Sequence, residues 1–503
     1  MTTAYNACVD LLDGNVQRGR GDHPAVVSRA RTVTYAELLA EVQRAAAALR
    51  ALGVQPEQRV AMVMLDSVEF FATFLGALRI GAVPAPVNPL LPGRDLGAVV
   101  SVSRARVLVV SVERADEVEA ITAAAPEVAD VVTTAADAWE TFLATGDGTS
   151  DAPFPTWEES PGFWLCTSGS TGRPKLAMHR HIDLRRTADT YAAGVLGVRP
   201  DDRCYSVGPM FHAYGLGNSL TFPFSAGATA VVEATRPPTP ALVGGIAREL
   251  APTLFFCIPT FYAALSASDL AGDTFASVRH AVSAAEPLPA DTYHRFADRF
   301  GVQILDGIGS TEMTHIYVSN APGAIRPGTS GRPVPGYDVD IVDDEGHPVT
   351  GDATGHMVVS GPSMAVGYWC DQAASQRSFR GDRMHTGDMY TRSDDGYYTY
   401  LGRSDDMLRV GGEWVSPAEV EAVLVSDPSV LEAAVVGQRD EHGVQRPVAF
   451  VVAAPNAEID LGGLEALCKS ELAGYKRPKR YEIRTELPKT ATGKIQRFKL
   501  RDG

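Results

Sequence analysis

Helix-period segments and short, fully apolar runs alternate along this chain to about residue 320, a rhythm that restricts it to layered folds. In "TYAELLAEVQRAAAALRALGV" (34–54), Thr34 and Glu37 have capping-box spacing, and Leu38, Leu39, Val42, Ala46 and Leu49 fall on one helical face. "RVAMVMLDS" (59–67) then reads as a buried strand, and after a further helix-like segment come "AVPAPV" (82–87) and "RVLVVSV" (106–112). Runs of this kind predict α/β layers with largely parallel sheet, since such strands are buried on both faces.

Beyond residue 320 the texture changes. "YDVDIVDDEGHPVTGDATGHMVVSG" (337–361) and "DDGYYTYLGRSDD" (394–406) are Gly- and Asp-rich and strand-like, and predict hairpins joined by turns in a small β-rich subdomain. "VSPAEVEAVLVS" (415–426) restarts a helix, with Ser416 as N-cap, Pro417 in the first turn and Glu419 completing a capping box; "EAAVVGQ" (432–438) follows as a strand. A domain boundary is expected at "GRSDD" (402–406).

Length and charge narrow the function. A chain of 503 residues exceeds what one hydrophobic core organises, so two or more domains are expected. A net charge of -16 argues against broad attraction to nucleic acid or to an anionic membrane surface, so an anionic ligand must be held locally. Cys8, Cys166, Cys204, Cys257, Cys370 and Cys468 contain no C-x-x-C pair and read as buried structural thiols of a reduced compartment. "MTTAYNACVDLLDG" lacks a basic region followed by an apolar one, so a cytosolic protein is expected. "FFATFLGALRIGAVPAPV" (70–87), interrupted by Arg79 and prolines, reads as core and not as a membrane span.

"TSGSTGRPK" (167–175) carries hydroxyls, glycines and a lysine, the ingredients of a phosphate-binding loop, and equally those of a surface turn. It is not a Walker A motif, because Gly169 and Gly172 are too close and Lys175 precedes Leu176, so an ordinary P-loop ATPase is excluded.

With that loop, "DGIGSTEM" (306–313), "HTGD" (385–388), "LGRSDDMLRVGGEWVSPAEVE" (401–421) and "PKTATGKIQR" (488–497) occur in one order over most of the chain. The set resembles the adenylate-forming superfamily of acyl-CoA synthetases, luciferases and peptide-synthetase adenylation domains. "HAYGLGNSLTFP" (212–223), "DGIGSTEMTHIYVSN" (306–320) and "YKRPKRY" (475–481) are most similar to the bacterial benzoate-CoA and 4-chlorobenzoate-CoA ligases. The resemblance implies a large N-terminal domain over 1–402, a hinge at 403–406 with Asp405 at its centre, and a smaller, mobile α+β C-terminal domain over 407–503. It also implies two steps: a carboxylate and ATP give acyl-adenylate and pyrophosphate, and then the thiol of coenzyme A displaces AMP.

Roles follow by the same resemblance. Thr167, Ser168, Gly169, Ser170, Thr171, Gly172 and Lys175 would grip the β- and γ-phosphates. Thr311 would bond the α-phosphate and Glu312 would bind Mg²⁺, although a Glu after Ser-Thr is also an ordinary helix-start residue. Ala285, Glu286, Pro287, Asp306, Gly307 and Ile308 match the adenine wall, with Ile308 where many relatives have an aromatic ring. Asp388 and Arg403 match the ribose contacts, or are a turn aspartate and a surface arginine. Lys494 matches the adenylation lysine, an ammonium between the acid and the α-phosphate; a C-terminal lysine is otherwise a solvated one.

Gly411, Gly412 and Glu413 would line the pantetheine tunnel, while Tyr475, Arg477 and Lys479 would hold the CoA nucleotide unless "YKRPKRY" is a solvated basic turn. Ala213, Tyr214, Gly215, Ala284, Gly309 and His315 are the acid-pocket candidates, and His212 a gate beside the carboxylate; both histidines could instead be satisfied core residues. The leading expectation is an ATP- and Mg²⁺-dependent aryl acid:CoA ligase. The alternative loads a carrier-protein thiol, and a non-enzymatic acyl-adenylate sensor is disfavoured because Lys494, Glu312, Asp388 and Arg403 are all present.

Overall fold

The computed structural model describes residues 4–168, 174–410, 413–439, 445–455, 457–489 and 495–501. Two compact units result: Met1–Asp338 with Val359–Met384, and Val339–Val358 with His385–Gly503.

In the first unit the α/β rhythm materialises as expected. Thr34 caps the helix Tyr35–Ala51, with both halves of the capping box formed. The run after it is the strand Arg59–Val63, which pairs in parallel with Val83–Pro86 on one side and Val107–Val110 on the other, and Asp130–Thr133 completes an all-parallel four-stranded sheet. The apolar helix Val68–Arg79 is buried along nearly its whole length, and no described helix is long and apolar enough to cross a membrane.

A nine-stranded sheet organises the rest of the unit. Its parallel centre runs Ile304–Gly309, His280–Ser283, Leu254–Cys257, Arg203–Ser206, Thr229–Val231 and Pro24–Val27. Antiparallel strands close both edges: Ile316–Ser319 and Arg332–Pro333 at one, Thr32–Thr34 at the other. A third, antiparallel sheet contains Pro161–Ser168, Pro174–Arg180 and Gly367–Tyr368.

The second unit is β-rich with two helices of note. Strands Asp338–Val342, Ala353–Ser360, Arg383–Arg392 and Tyr398–Arg403, most of whose residues belong to this unit, are neighbours in one sheet, and Val430–Arg439, Gln445–Ala453 and Arg480–Arg484 form another. Ser416 caps the helix Pro417–Val425 by accepting from the Glu419 amide. Glu419 does not complete the box as expected: its carboxylate takes both bonds of Lys476 Nζ, each 2.7 Å, because an ammonium outbids a single backbone amide. Cysteines depart from expectation at Cys370, exposed in the turn after Tyr368, and in part at Cys166, which is half-buried; the other four are buried, and all six are free thiols.

Candidate active site

Loops at the carboxyl ends of parallel strands are where open α/β sheets hold ligands. Three such loops follow Arg203–Ser206, His280–Ser283 and Ile304–Gly309, and they carry His212 to Gly215, Ala284 to Pro287, and Thr311 to His315. Tyr214 ties the first to the sheet, its hydroxyl donating to the carbonyl of Val282 at 2.9 Å. Gly215 is required by close approach, since a Cβ there would lie 2.1 Å from the Pro209 carbonyl oxygen, and at Gly309 one would lie 2.5 Å from that of His315. Ala285 and Thr314 take left-handed backbone angles, φ 76° and 65°, which side chains other than glycine adopt only where the surroundings force them.

His315 is buried among rings, with centroids 4.5 Å from Phe222 and 5.5 Å from both Tyr191 and Tyr214. Its Nε2 faces two acceptors, Asn218 Oδ1 at 3.1 Å and the Tyr214 carbonyl at 3.3 Å, which assigns the proton to Nε2. Burial pulls its pKa down to about 3, so the imidazole is neutral at physiological pH. His212 is half-buried at the start of the helix Ala213–Leu216, its ring 4.6 Å from that of Phe211. Asp306, beside Ser283 in the sheet, is buried; burial pushes its pKa well above the carboxylate range, with the Ser283 hydroxyl and the Gly307 and Leu288 amides pulling the other way. Glu286 is held by Thr260, whose hydroxyl donates to its carboxylate at 2.6 Å, while Ala285 and Pro287 are exposed. Gly307 and Ile308 continue the strand of Asp306, Ile308 half-buried opposite Val318.

The turn Thr311–Met313 is fastened from below. His179 donates from Nε2 to the Thr311 carbonyl at 2.9 Å, and the Ala365 amide donates to the Glu312 carbonyl at 2.8 Å. Glu312 accepts from the Tyr368 hydroxyl at 2.6 Å, and Lys175 Nζ lies 5.0 Å from the centre of the same tyrosine ring. Thr167 pairs with Lys175, and Ser168 with Pro174, so the loop between them is anchored by an antiparallel register at both ends. Gly169, Ser170, Thr171 and Gly172 themselves lie outside the described residues, as do Gly411, Gly412 and Lys494.

Among the described residues no group of three or more acidic, histidine or cysteine side chains could hold a metal ion alone. Glu312 fits magnesium in the way nucleotide enzymes use it, one carboxylate with phosphate oxygens and water filling the remaining positions.

In the second unit, Asp388 and Arg403 face each other across neighbouring strands, with Arg403 Nη1 3.0 Å from Asp388 Oδ1. The Asp405 carbonyl accepts from Arg501 at 3.0 Å. Glu413 pairs with Val410 across neighbouring antiparallel strands. Tyr475 and Lys479 are exposed, but Arg477 donates to the carbonyls of Leu472 and Lys469 at the end of the helix Leu461–Glu471, and Lys476 is held by Glu419. "YKRPKRY" is thus half engaged within the protein and half presented to solvent.

Sequence reasoning passed over His179, Tyr191, Asn218 and Tyr368. A signal existed for the first: in the strand Pro174–Arg180, His179 shares with Lys175 the face set by two-residue alternation.

Candidate nucleotide-holding residues on loops at the carboxyl ends of parallel strands are what an adenylate-forming class of enzyme would need, and the family comparison agrees. Residues 13–369 match the AMP-binding enzyme family and residues 419–494 its C-terminal domain; the chain belongs to this family. It is 45% identical to the benzoate-CoA ligase of Thauera aromatica, over 99% of this chain and 96% of that protein. Among solved structures it resembles a benzoate CoA ligase from Burkholderia xenovorans LB400, with 40% identity, TM-score 0.90, and coverage of 99% of this chain and 100% of that one. It also resembles the anthranilate CoA ligase AuaEII in complex with anthranoyl-AMP, with 36% identity, TM-score 0.93, and coverage of 100% and 98%.

Proposed function

We propose that this protein is an AMP-forming aryl acid:CoA ligase that activates benzoate or a substituted benzoate. The observation that carries the reading is the environment of His315: half-buried Tyr214 is backed by the buried rings of His315, Tyr191 and Phe222, an uncharged wall that suits an aryl ring and not a second charge. Likeness to a benzoate-CoA ligase along the whole chain supports it and disfavours loading of a carrier protein.

In the first step a carboxylate oxygen attacks the α-phosphorus of ATP, the bond to the bridging oxygen breaks, and pyrophosphate leaves. Because His315 is neutral, the charge of the acid must be met elsewhere; Lys494 is the group assigned to it, with Thr311 on the α-phosphate. Glu312 would hold magnesium, which would supply charge neutralisation for the triphosphate. Lys175 and the Thr167–Gly172 loop hold the β- and γ-phosphates, Asp306, Gly307, Ile308 and residues Ala285, Glu286 and Pro287 flank the adenine, and Asp388 with Arg403 hold the ribose.

In the second step the CoA sulfur attacks the acyl carbon and AMP departs with the electron pair of the broken C–O bond. Gly411, Gly412 and Glu413 line the approach of the thiol, and exposed Tyr475 and Lys479, with Arg477 beside them, receive the nucleotide end. A hinge at Asp405 separates a domain of residues 1–402 from a C-terminal domain of 407–503 and exchanges the two faces between steps.

Mass spectrometry of a reaction with ATP, Mg²⁺, CoA and a panel of benzoates, cinnamates and aliphatic acids tests the assignment. Benzoyl thioesters with AMP and pyrophosphate are expected. Pyrophosphate release without a thioester would move the protein to carrier loading, and a preference for aliphatic acids would overturn the aryl pocket.

A further inference from the structure

Three parts of the first unit meet at Tyr368. Its hydroxyl donates to Glu312 Oε1 at 2.6 Å, a length that belongs to a charge-assisted O–H···O⁻ bond. Oε2 of the same carboxylate has no hydrogen-bond partner among the described residues. The face of the tyrosine ring looks toward the Lys175 ammonium, 5.0 Å from the ring centre. Neither contact is a chance of side-chain placement, because the backbone around Tyr368 is pinned to both partners. Val366 and Trp369 donate to the Met178 and Leu176 carbonyls of the strand that bears Lys175, at 2.9 Å each, and Ala365 donates to the Glu312 carbonyl at 2.8 Å. The other edge of the tyrosine is fixed by Phe379, 5.4 Å away, and its amide by the Ser375 hydroxyl at 2.9 Å. Tyr368 itself is only 6% exposed.

We propose that Tyr368 is a positioning residue for the nucleotide: its hydroxyl fixes the rotamer of the Glu312 carboxylate and its ring fixes the Lys175 ammonium, so that cation and phosphate contacts are set at one spacing. This rests on the function proposed above. A phenol that occupies one carboxylate oxygen leaves the other aimed at a cation, and it does so before the nucleotide arrives. A ring that holds an ammonium by its face offers no competing lone pair, so N–H groups turned away from the ring remain for phosphate oxygens. Positioning of this kind acts through the ligand it orients, and loss of such a partner typically costs about 10–100-fold in metal affinity.

The test separates hydroxyl from ring. Tyr368→Phe keeps the ring, the packing and the contact with Lys175. It is expected to raise about tenfold the Mg²⁺ concentration needed for half-maximal binding of a non-hydrolysable α,β-methylene ATP followed by calorimetry. Binding of the same analogue without Mg²⁺, and thioester formation from supplied benzoyl-adenylate, should stay at the wild-type level. Tyr368→Leu removes the ring as well and should also weaken binding without Mg²⁺. In a Glu312→Gln background, Tyr368→Phe should add nothing. A Tyr368→Phe protein with wild-type Mg²⁺ dependence, or an undiminished effect in the Glu312→Gln background, would overturn the proposal while leaving the ligase assignment intact. A wild-type protein that binds the analogue in no Mg²⁺-dependent way would overturn both.

Discussion

His181 shows how single residues were legible in part. It follows the phosphate-loop strand as an unremarked histidine, yet its Nδ1 accepts from the Ala7 amide at 3.2 Å, and burial pulls its pKa from the ordinary 6.5 to about 4. An unfolded chain takes up this proton as pH falls below 6.5 while the folded chain resists, so the contribution of His181 is fully present above that pH and is lost on acidification toward 4. Buried Asp66 and Asp306, whose pKa values are raised by burial, oppose the trend, so the effect is best read as a difference. The stability advantage of wild type over His181→Gln should shrink by about 1.4 kcal/mol per pH unit between pH 6 and 4.5 in urea denaturation. A difference that does not move with pH would place the proton elsewhere. Glu312, Lys175 and Asp388 could be picked out because each sits in a local motif. Tyr368 could not, and His179 only through the strand face it shares with Lys175, because their partners Glu312 and Thr311 are 56 and 132 residues away.

Elements followed local rules where the partners are local. Thr34 and Glu37 bond reciprocally at the start of Tyr35–Ala51, as a spacing of three residues dictates. Thr34→Ala should therefore cost about 1 kcal/mol and accelerate amide exchange in the first turn of that helix, while Thr34→Ser should be nearly silent. Exchange unchanged in that turn would mean that packing, and not the cap, holds the helix end. The same rule half failed at Ser416, where Glu419 is drawn to Lys476, 57 residues on. That contact also settles how much of "YKRPKRY" is solvated: Lys476 and Arg477 have internal partners, which a charge count along the sequence does not register.

For the whole molecule, the decisive prediction concerns the two half-reactions. Lys494→Ala should slow adenylation by about 10²-fold or more, measured as pyrophosphate exchange, and spare thioester formation from supplied acyl-adenylate. Equal losses in both would remove the proposed restriction of Lys494 to the first half-reaction. Sequence alone determined the layered α/β class and the family, and supplied the nucleotide-holding candidates, because helix period, strand burial and phosphate chemistry are written over spans of a few residues. Only the tertiary structure decided that His315 is neutral within a cluster of rings and that Tyr368 joins Glu312 to Lys175. It also decided which basic residues near Tyr475 remain exposed. Desolvation and long-range pairing are properties of a packed interior, and no short window of sequence contains both partners.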